Sequence, residues 1–284
     1  MAEESAIRVR GLRKRYGQVV AVEDLDLDVG HGEVFALLGP NGAGKTTTVE
    51  ILEGYRHRDG GDVVVLGEEP ACAPVSWRYG IGIVLQETRD AAELSVAETV
   101  RHFAGYYPEP RDAAEVIEDV GLTSAAGQRV RTLSGGQRRR LDVAIGIVGR
   151  PRLLFLDEPT TGFDPQARRN LWATIRDLVA ASGTTVLLTT HYLEEAEALA
   201  DRVAVIQAGR MVAQGAPSTL GGRATGTATV SWCEDSGPRS ATTANPDAFV
   251  IELAARLGGR VPGLAVTRQS LEDVYLKLIS EDSP

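Results

Sequence analysis

The sequence predicts an α/β fold built on a central parallel sheet and followed by a small α+β extension. Three observations predict it. Short unbroken apolar runs, Val34-Phe35-Ala36-Leu37-Leu38, Leu153-Leu154-Phe155-Leu156 and Val186-Leu187-Leu188, suit strands covered on both faces. Helix-start signals lie between these runs. After Gly215-Ala216-Pro217 the composition shifts to small residues and Thr, with Gly221-Gly222 and Gly237-Pro238 as breakers.

A chain of 284 residues with 43% apolar content has enough material for one large core and one small one. Its acidic start, Met1-Ala2-Glu3-Glu4-Ser5, lacks the pattern of a secretory signal. No apolar run approaches the roughly 18 to 20 residues that cross a bilayer as a helix. The net charge of −9 disfavours nucleic acid and anionic lipid as partners of the whole surface. Cys72 and Cys233 fit neither a disulfide framework nor a zinc site, so a cytoplasmic location is expected. Lys14, Lys45 and Lys277 are the only lysines among 30 basic residues, a coding bias that hints at a bacterial source.

Taken in order, Val19 to Val29 ends in strict alternation of Leu25, Leu27 and Val29 with Asp24, Asp26 and Asp28. That is the period of a half-buried strand with the aspartates on its solvated face. The first apolar run, Val34 to Leu38, then feeds a glycine loop. From about Ser95 to Val148 the pattern is helical. Ser95 with Glu98, and Ser134 with Gln137, both fit the reciprocal box that opens a helix. Asp164-Pro165 places a capping acid before a proline at the first helical position, and Ser182-Gly183 stops that helix. A strand from Thr184 to Thr190 follows. The boundary falls near Leu220, giving a main domain over 1–220 and an accessory domain over 221–284. The latter holds an alternating stretch from Thr225 to Trp232, a helix opened by Asn245-Pro246, and Leu271, Val274 and Leu278 at helical spacing.

Gly39-Pro40-Asn41-Gly42-Ala43-Gly44-Lys45-Thr46 matches G-x-x-x-x-G-K-[ST] between an apolar strand and a helix, the context that a phosphate loop requires. Glycines there free a row of backbone N–H groups to wrap phosphate at the positive end of a helix. Lys45 adds a cation for the β/γ phosphates, Thr46 an oxygen for Mg²⁺, and Thr47 extends the loop. The core is therefore expected to be a P-loop NTPase, a description that kinases and GTPases share. Asp157 and Glu158 close the buried run Leu153 to Leu156, at the strand end where open α/β sheets place ligands. Asp157 is assigned to Mg²⁺ and Glu158 to activating water. The run Arg138-Arg139-Arg140 is expected to form a solvated or interdomain face.

Leu133-Ser134-Gly135-Gly136-Gln137 adds a second anion site, at a helix N-terminus. This segment resembles the signature of ABC-type ATPases. With His191 to Glu197 and the closing Leu271 to Leu276, the resemblance covers nearly the whole chain and points to the daunorubicin-resistance type of exporter ATPase. It implies a core of the RecA-like kind that binds ATP with Mg²⁺, an antiparallel β subdomain and an inserted helical signature subdomain over about 95–148. It also implies a head-to-tail homodimer in which Ser134, Gly135, Gly136 and Gln137 of one subunit cover the γ-phosphate held by the other. Tyr16 resembles the aromatic that stacks on adenine, Gln86 the glutamine that senses Mg²⁺ and the membrane partner, and His191 the histidine at the γ-phosphate. Asp164 resembles a residue of the segment that crosses the dimer interface, although Phe163 replaces the usual small or aliphatic residue. The implied partner is a separate integral-membrane permease that alone contacts the transported drug-like or lipidic cargo. This chain would sit peripherally on the cytoplasmic face of the membrane. The alternative is a soluble ABC ATPase acting as a nucleotide switch, with a soluble partner.

Overall fold

The computed structural model describes residues 5–84, 92–223, 227–234 and 236–281. The chain divides into two compact units, 1–212 and 213–284. The division falls inside a strand, earlier than the composition break read near Leu220.

In the first unit, β1 (Ile7–Tyr16), β2 (Val19–Val29) and β4 (Gly60–Val65) form an antiparallel sheet in the order β2-β1-β4. The expected alternation holds: Leu25, Leu27 and Val29 are buried. The aspartates opposite are exposed but engaged, Asp28 with Arg10 at 2.9 Å and Asp24 with Arg13 at 2.9 Å, while Asp26 accepts the Gly11 N–H.

Behind this sheet in chain order come β3 (Val34–Leu38), α1 (Lys45–Leu52), α2 (Val75–Arg78) and β5 (Ile81–Val84). Then follow α3 (Val96–Ala104), α4 (Ala113–Asp119) and α5 (Gly135–Ile147), with short 3-10 turns at Thr123–Ala125 and Val130–Thr132. The unit is completed by β6 (Leu153–Asp157), α6 (Pro165–Ser182), β7 (Thr185–Thr190), α7 (Leu193–Leu199), β8 (Arg202–Gln207) and the start of β9 (Arg210–Gly215). The central sheet runs β5-β6-β7-β3-β8-β9. Each of the pairs β5 with β6, β6 with β7, β7 with β3 and β3 with β8 is parallel. Every residue of β3 and β7 is buried, as the apolar runs require. The last two strands are joined by Ala208-Gly209, both at positive φ, the geometry of a tight hairpin turn.

Both reciprocal capping boxes form. Ser95 Oγ accepts the Glu98 N–H and Glu98 accepts the Ser95 N–H in return; Ser134 and Gln137 do the same. Asp164 Oδ1 accepts the Gln166 and Ala167 N–H groups at 2.9 Å, and Gly183 closes α6 with a left-handed φ of 64°.

The second unit holds β10 (Ala228–Glu234), β11 (Gly237–Thr243), α8 (Pro246–Arg256), β12 (Ala265–Arg268) and α9 (Leu271–Glu281). Its sheet is antiparallel in the order β11-β10-β12. Val230, Trp232 and Leu253 form its core, with the Trp232 and Phe249 rings 5.7 Å apart.

Candidate active site

The carboxyl ends of β3, β6 and β7 are neighbours in the sheet, and each carries one part of the site. After β3 the chain turns through Gly39 to Gly44 into α1. A Cβ on Gly39 would lie 2.3 Å from the Ile206 carbonyl oxygen, and one on Gly44, at φ 102°, equally close to the Ala21 carbonyl oxygen. Only glycine fits either position. Asn41 and Gly42 are exposed, Pro40 is exposed beside them, and Ala43 is buried with its N–H on the Pro40 carbonyl at 3.2 Å.

Lys45 opens α1 and is buried, its ammonium donating to the carbonyls of Gly39 at 2.8 Å and Pro40 at 3.1 Å. Burial pulls its pKa down, against the raising fields of Glu158 and Asp157. The ammonium thus lies within the field of both carboxylates that end β6. Thr46 is exposed and Thr47 half-buried at the same helix start.

Asp157 pairs across to Thr189 in the β6–β7 ladder, and the Thr189 hydroxyl donates to its Oδ1. Glu158 follows with φ at 44°. For a residue with a side chain this left-handed backbone costs roughly 1–2 kcal/mol, so surrounding contacts must hold it. Its N–H donates to the Thr189 carbonyl at 3.1 Å. Its two carboxylate oxygens are met separately, Oε2 by the Thr161 hydroxyl at 3.1 Å and Oε1 by His191 Nδ1 at 3.1 Å. An ionised carboxylate can only accept, so Nδ1 is the donor in that pair. The His191 ring lies 4.1 Å from the Tyr192 ring.

Comparison with known proteins follows this geometry. The model of the ABC transporter family matches residues 22–161. The Nod factor export ATP-binding protein I of Burkholderia orbicola is 38% identical over 301 residues, covering 97% of each chain. The daunorubicin resistance ATP-binding protein DrrA3 of Streptomyces coeruleorubidus is 43% identical over 222 residues, 76% of this chain and 70% of the relative. The chain belongs to the ABC transporter ATP-binding family. Among solved structures, cbiO1 from Clostridium perfringens, part of the ABC transporter complex cbiONQ, superposes with a TM-score of 0.68 at 26% identity. It covers 76% of this chain and 90% of its own. An ATP-binding subunit of an ABC transporter matches 97% of this chain with a TM-score of 0.71, at 23% identity, a likeness of fold.

As an ABC ATP-binding subunit the protein binds nucleotide, hydrolyses ATP and works with a membrane permease. The export relatives favour this reading over a soluble nucleotide switch. Among the described residues no helix is long and apolar enough to cross a membrane.

The ABC signature lies at the start of α5. Ser134 and Gly135 are exposed, Gly136 and Gln137 half-buried, and a Cβ on Gly135 would meet nothing within 4 Å. Among the described residues nothing demands that glycine. Tyr16 ends β1 with its ring 40% exposed, the Arg56 guanidinium 5.3 Å and the Lys14 ammonium 5.5 Å from its centroid. Asp164 is exposed and caps α6. Gln86 lies outside the described residues.

Of the two alternatives for the Arg138-Arg139-Arg140 run, a solvated or an interdomain face, the solvated one fails, because Arg138 and Arg140 are half-buried and Arg139 is buried. Arg138 donates to the Val130 carbonyl and Arg140 to the Gly121 carbonyl, while Arg139 is buried and grips the carbonyls of Asp157 and Pro159. A signal was present: Arg139, Val143 and Gly146 recur at helical spacing along the buried face of α5. Thr189 and Thr161, which orient the two carboxylates, were also missed, because their roles depend on contacts across strands and loops.

Proposed function

We propose that the protein is the ATP-hydrolysing subunit of an ABC exporter for a drug-like or lipidic molecule, acting as a head-to-tail homodimer on the cytoplasmic face of a separate permease. The observation that carries the reading is the convergence of Lys45, Asp157, Glu158 and His191 at adjacent strand ends; the exposed start of α5 at Ser134 and Gly135, open among the described residues, supports a second anion site there.

In this reading the N–H groups of Gly42 to Thr47, with Lys45, bind the phosphates, and Tyr16 stacks on adenine. The Ser134 to Gln137 segment of one subunit covers the γ-phosphate held by the other, with Asp164 near the junction. Glu158 takes a proton from water, and the water oxygen attacks the γ-phosphorus. The bond from phosphorus to the bridging oxygen of ADP breaks, releasing ADP and phosphate. His191, held by its bond to Glu158, steadies the γ-phosphate and the attacking water.

The donors present fit Mg²⁺. The Thr46 hydroxyl and the Asp157 carboxylate, oriented by Thr189, would supply hard oxygen ligands; Gln86, the further ligand that the resemblance implies, lies outside the described residues. Among the described residues no group of three or more His, Cys, Asp or Glu can cage a metal unaided, which suits a cation shared with substrate phosphates. Bound there, Mg²⁺ supplies positive charge to the phosphoryl oxygens.

The relatives differ by name, one a Nod factor export protein and the other a daunorubicin resistance protein, so the names support export without fixing one cargo. The test is phosphate release by the wild type and Glu158→Gln, then affinity purification of Glu158→Gln with Mg·ATP from solubilised host membranes. Glu158→Gln is expected to hydrolyse at least about 10²-fold more slowly while still binding ATP, the scale of losing a positioned base. A polytopic membrane protein is expected to co-purify in stoichiometric amount. A soluble partner instead would overturn the exporter reading.

A further inference from the structure

Glu158 holds a left-handed backbone, and the carbonyls of the residues on either side of it, Asp157 and Pro159, are gripped from outside its own strand. Arg139 is buried on the second turn of α5, the helix that Ser134 opens. Its Nη2 donates to the Asp157 carbonyl at 2.7 Å and its Nε to the Pro159 carbonyl at 3.0 Å. These carbonyls belong to the two residues that bracket Glu158, the second lying one peptide group beyond the Glu158 carbonyl. From the other side, the Glu158 N–H is taken by the Thr189 carbonyl and its hydroxyl at 3.2 Å. The guanidinium is a planar fork, and its two donors fix the relative orientation of two acceptors in a way that an ammonium does not.

A buried charge needs compensation, and here it is local. The Asp142 carboxylate lies 4.0 Å away, one turn along α5, and the buried Glu195 carboxylate of α7 adds its field. Glu195 itself accepts from Trp172 Nε1 of α6 at 3.2 Å. Three helices, α5, α6 and α7, therefore meet behind the hydrolytic carboxylate. Of these, α5 begins at the exposed Ser134, the segment proposed above to cover phosphate.

We propose that Arg139 is a positioning residue for Glu158, linking the seating of the Ser134 segment on its ligand to the alignment of the carboxylate in the same subunit. The inference rests on Glu158 as the base proposed above. A shift of α5 on engaging phosphate moves the guanidinium, and with it the peptide groups that set where the Glu158 side chain points. Misplacement of a catalytic group by about 1 Å can cost on the order of 10²-fold in rate without loss of binding.

The experiment compares Arg139→Gln and Arg139→Lys, each in the wild-type and the Glu158→Gln background, reading kcat, KM, ATP affinity by direct titration, and Tm. Arg139→Gln is expected to lower kcat at least about tenfold with ATP affinity within about twofold, and Arg139→Lys, keeping the charge and one contact, to recover part of that loss. In the Glu158→Gln background the Arg139 substitutions are expected to cost little more, because the group they position is already gone. If Arg139→Gln lowers Tm sharply, the Lys variant alone decides on the same kcat and coupling criteria. An unchanged kcat in a folded Arg139 variant, or a full additive loss beside Glu158→Gln, overturns the clamp alone. Near-normal hydrolysis by Glu158→Gln itself overturns the base assignment and the clamp with it.

Discussion

Glu53, the half-buried residue that caps the end of α1, shows what a single desolvated carboxyl does to this domain. It lines a cavity of about 590 Å³ together with Glu50, Ile83, Phe103 and Leu141. Burial is the main cause, and the charges of Asp157 and Glu50 the lesser, that push its pKa from 4.5 up to about 8. In the unfolded chain the proton leaves near 4.5; in the folded chain it stays until about 8. Between those values the folded state binds more protons than the unfolded one, so stability is greatest below the window and falls as pH rises through it. At about 1.4 kcal/mol per unit, the loss across the window is on the order of a few kcal/mol. Glu53→Gln, which keeps the shape and removes the titration, is therefore expected to raise Tm at pH 8.5 and to flatten the decline of Tm between pH 5 and 8. Parallel wild-type and variant curves over that range would show that Glu53 ionises in the fold without cost.

At the scale of elements, α6 is the longest helix described, and its start is set by one side chain. Asp164 accepts two N–H groups, and Pro165 follows at the position where a missing donor is harmless. Asp164→Ala is expected to cost about 1 kcal/mol in denaturant unfolding, while Asp164→Asn, still able to accept, stays near wild type. Equal losses for Ala and Asn would move the importance of Asp164 from the cap to its charge. Elements of this kind were legible because their determinants are contiguous: Asp164-Pro165, the two capping boxes, and the runs of β3, β6 and β7 that alternate with nothing because both faces are covered. The strand-end placement of the phosphate loop, Asp157 and Glu158 was legible for the same reason, whereas His191 stood out only through the family resemblance. By contrast β5 has only four residues, and every residue of β12 is exposed, so neither offers a period to count. Arg139, Thr189 and Glu53 act through space, and the arginine run looked like surface until its middle member was placed against the carbonyls around Glu158.

At the scale of the whole molecule, the proposed second anion site at the start of α5 needs a ligand, and in the proposed dimer that ligand is the nucleotide of the other subunit. Gly135 tests this, because its position is exposed and an added Cβ there meets nothing. Gly135→Asp is thus expected to leave the isolated subunit intact, with Tm within a degree or two and ATP affinity unchanged, since the substitution is remote from its own phosphate loop in function. An acid at the first turn of a helix is even mildly favourable to that helix. Across a head-to-tail interface the same carboxylate faces the γ-phosphate held by the partner, where like charges in a desolvated site repel strongly. The Glu158→Gln protein is expected to form an ATP-dependent dimer by size-exclusion chromatography with light scattering, and Gly135→Asp in that background to stay monomeric with ATP bound. A Gly135→Asp protein that still dimerises and hydrolyses at the wild-type rate would place the signature glycine outside the shared site, and the open space around it would then need another explanation than a second subunit.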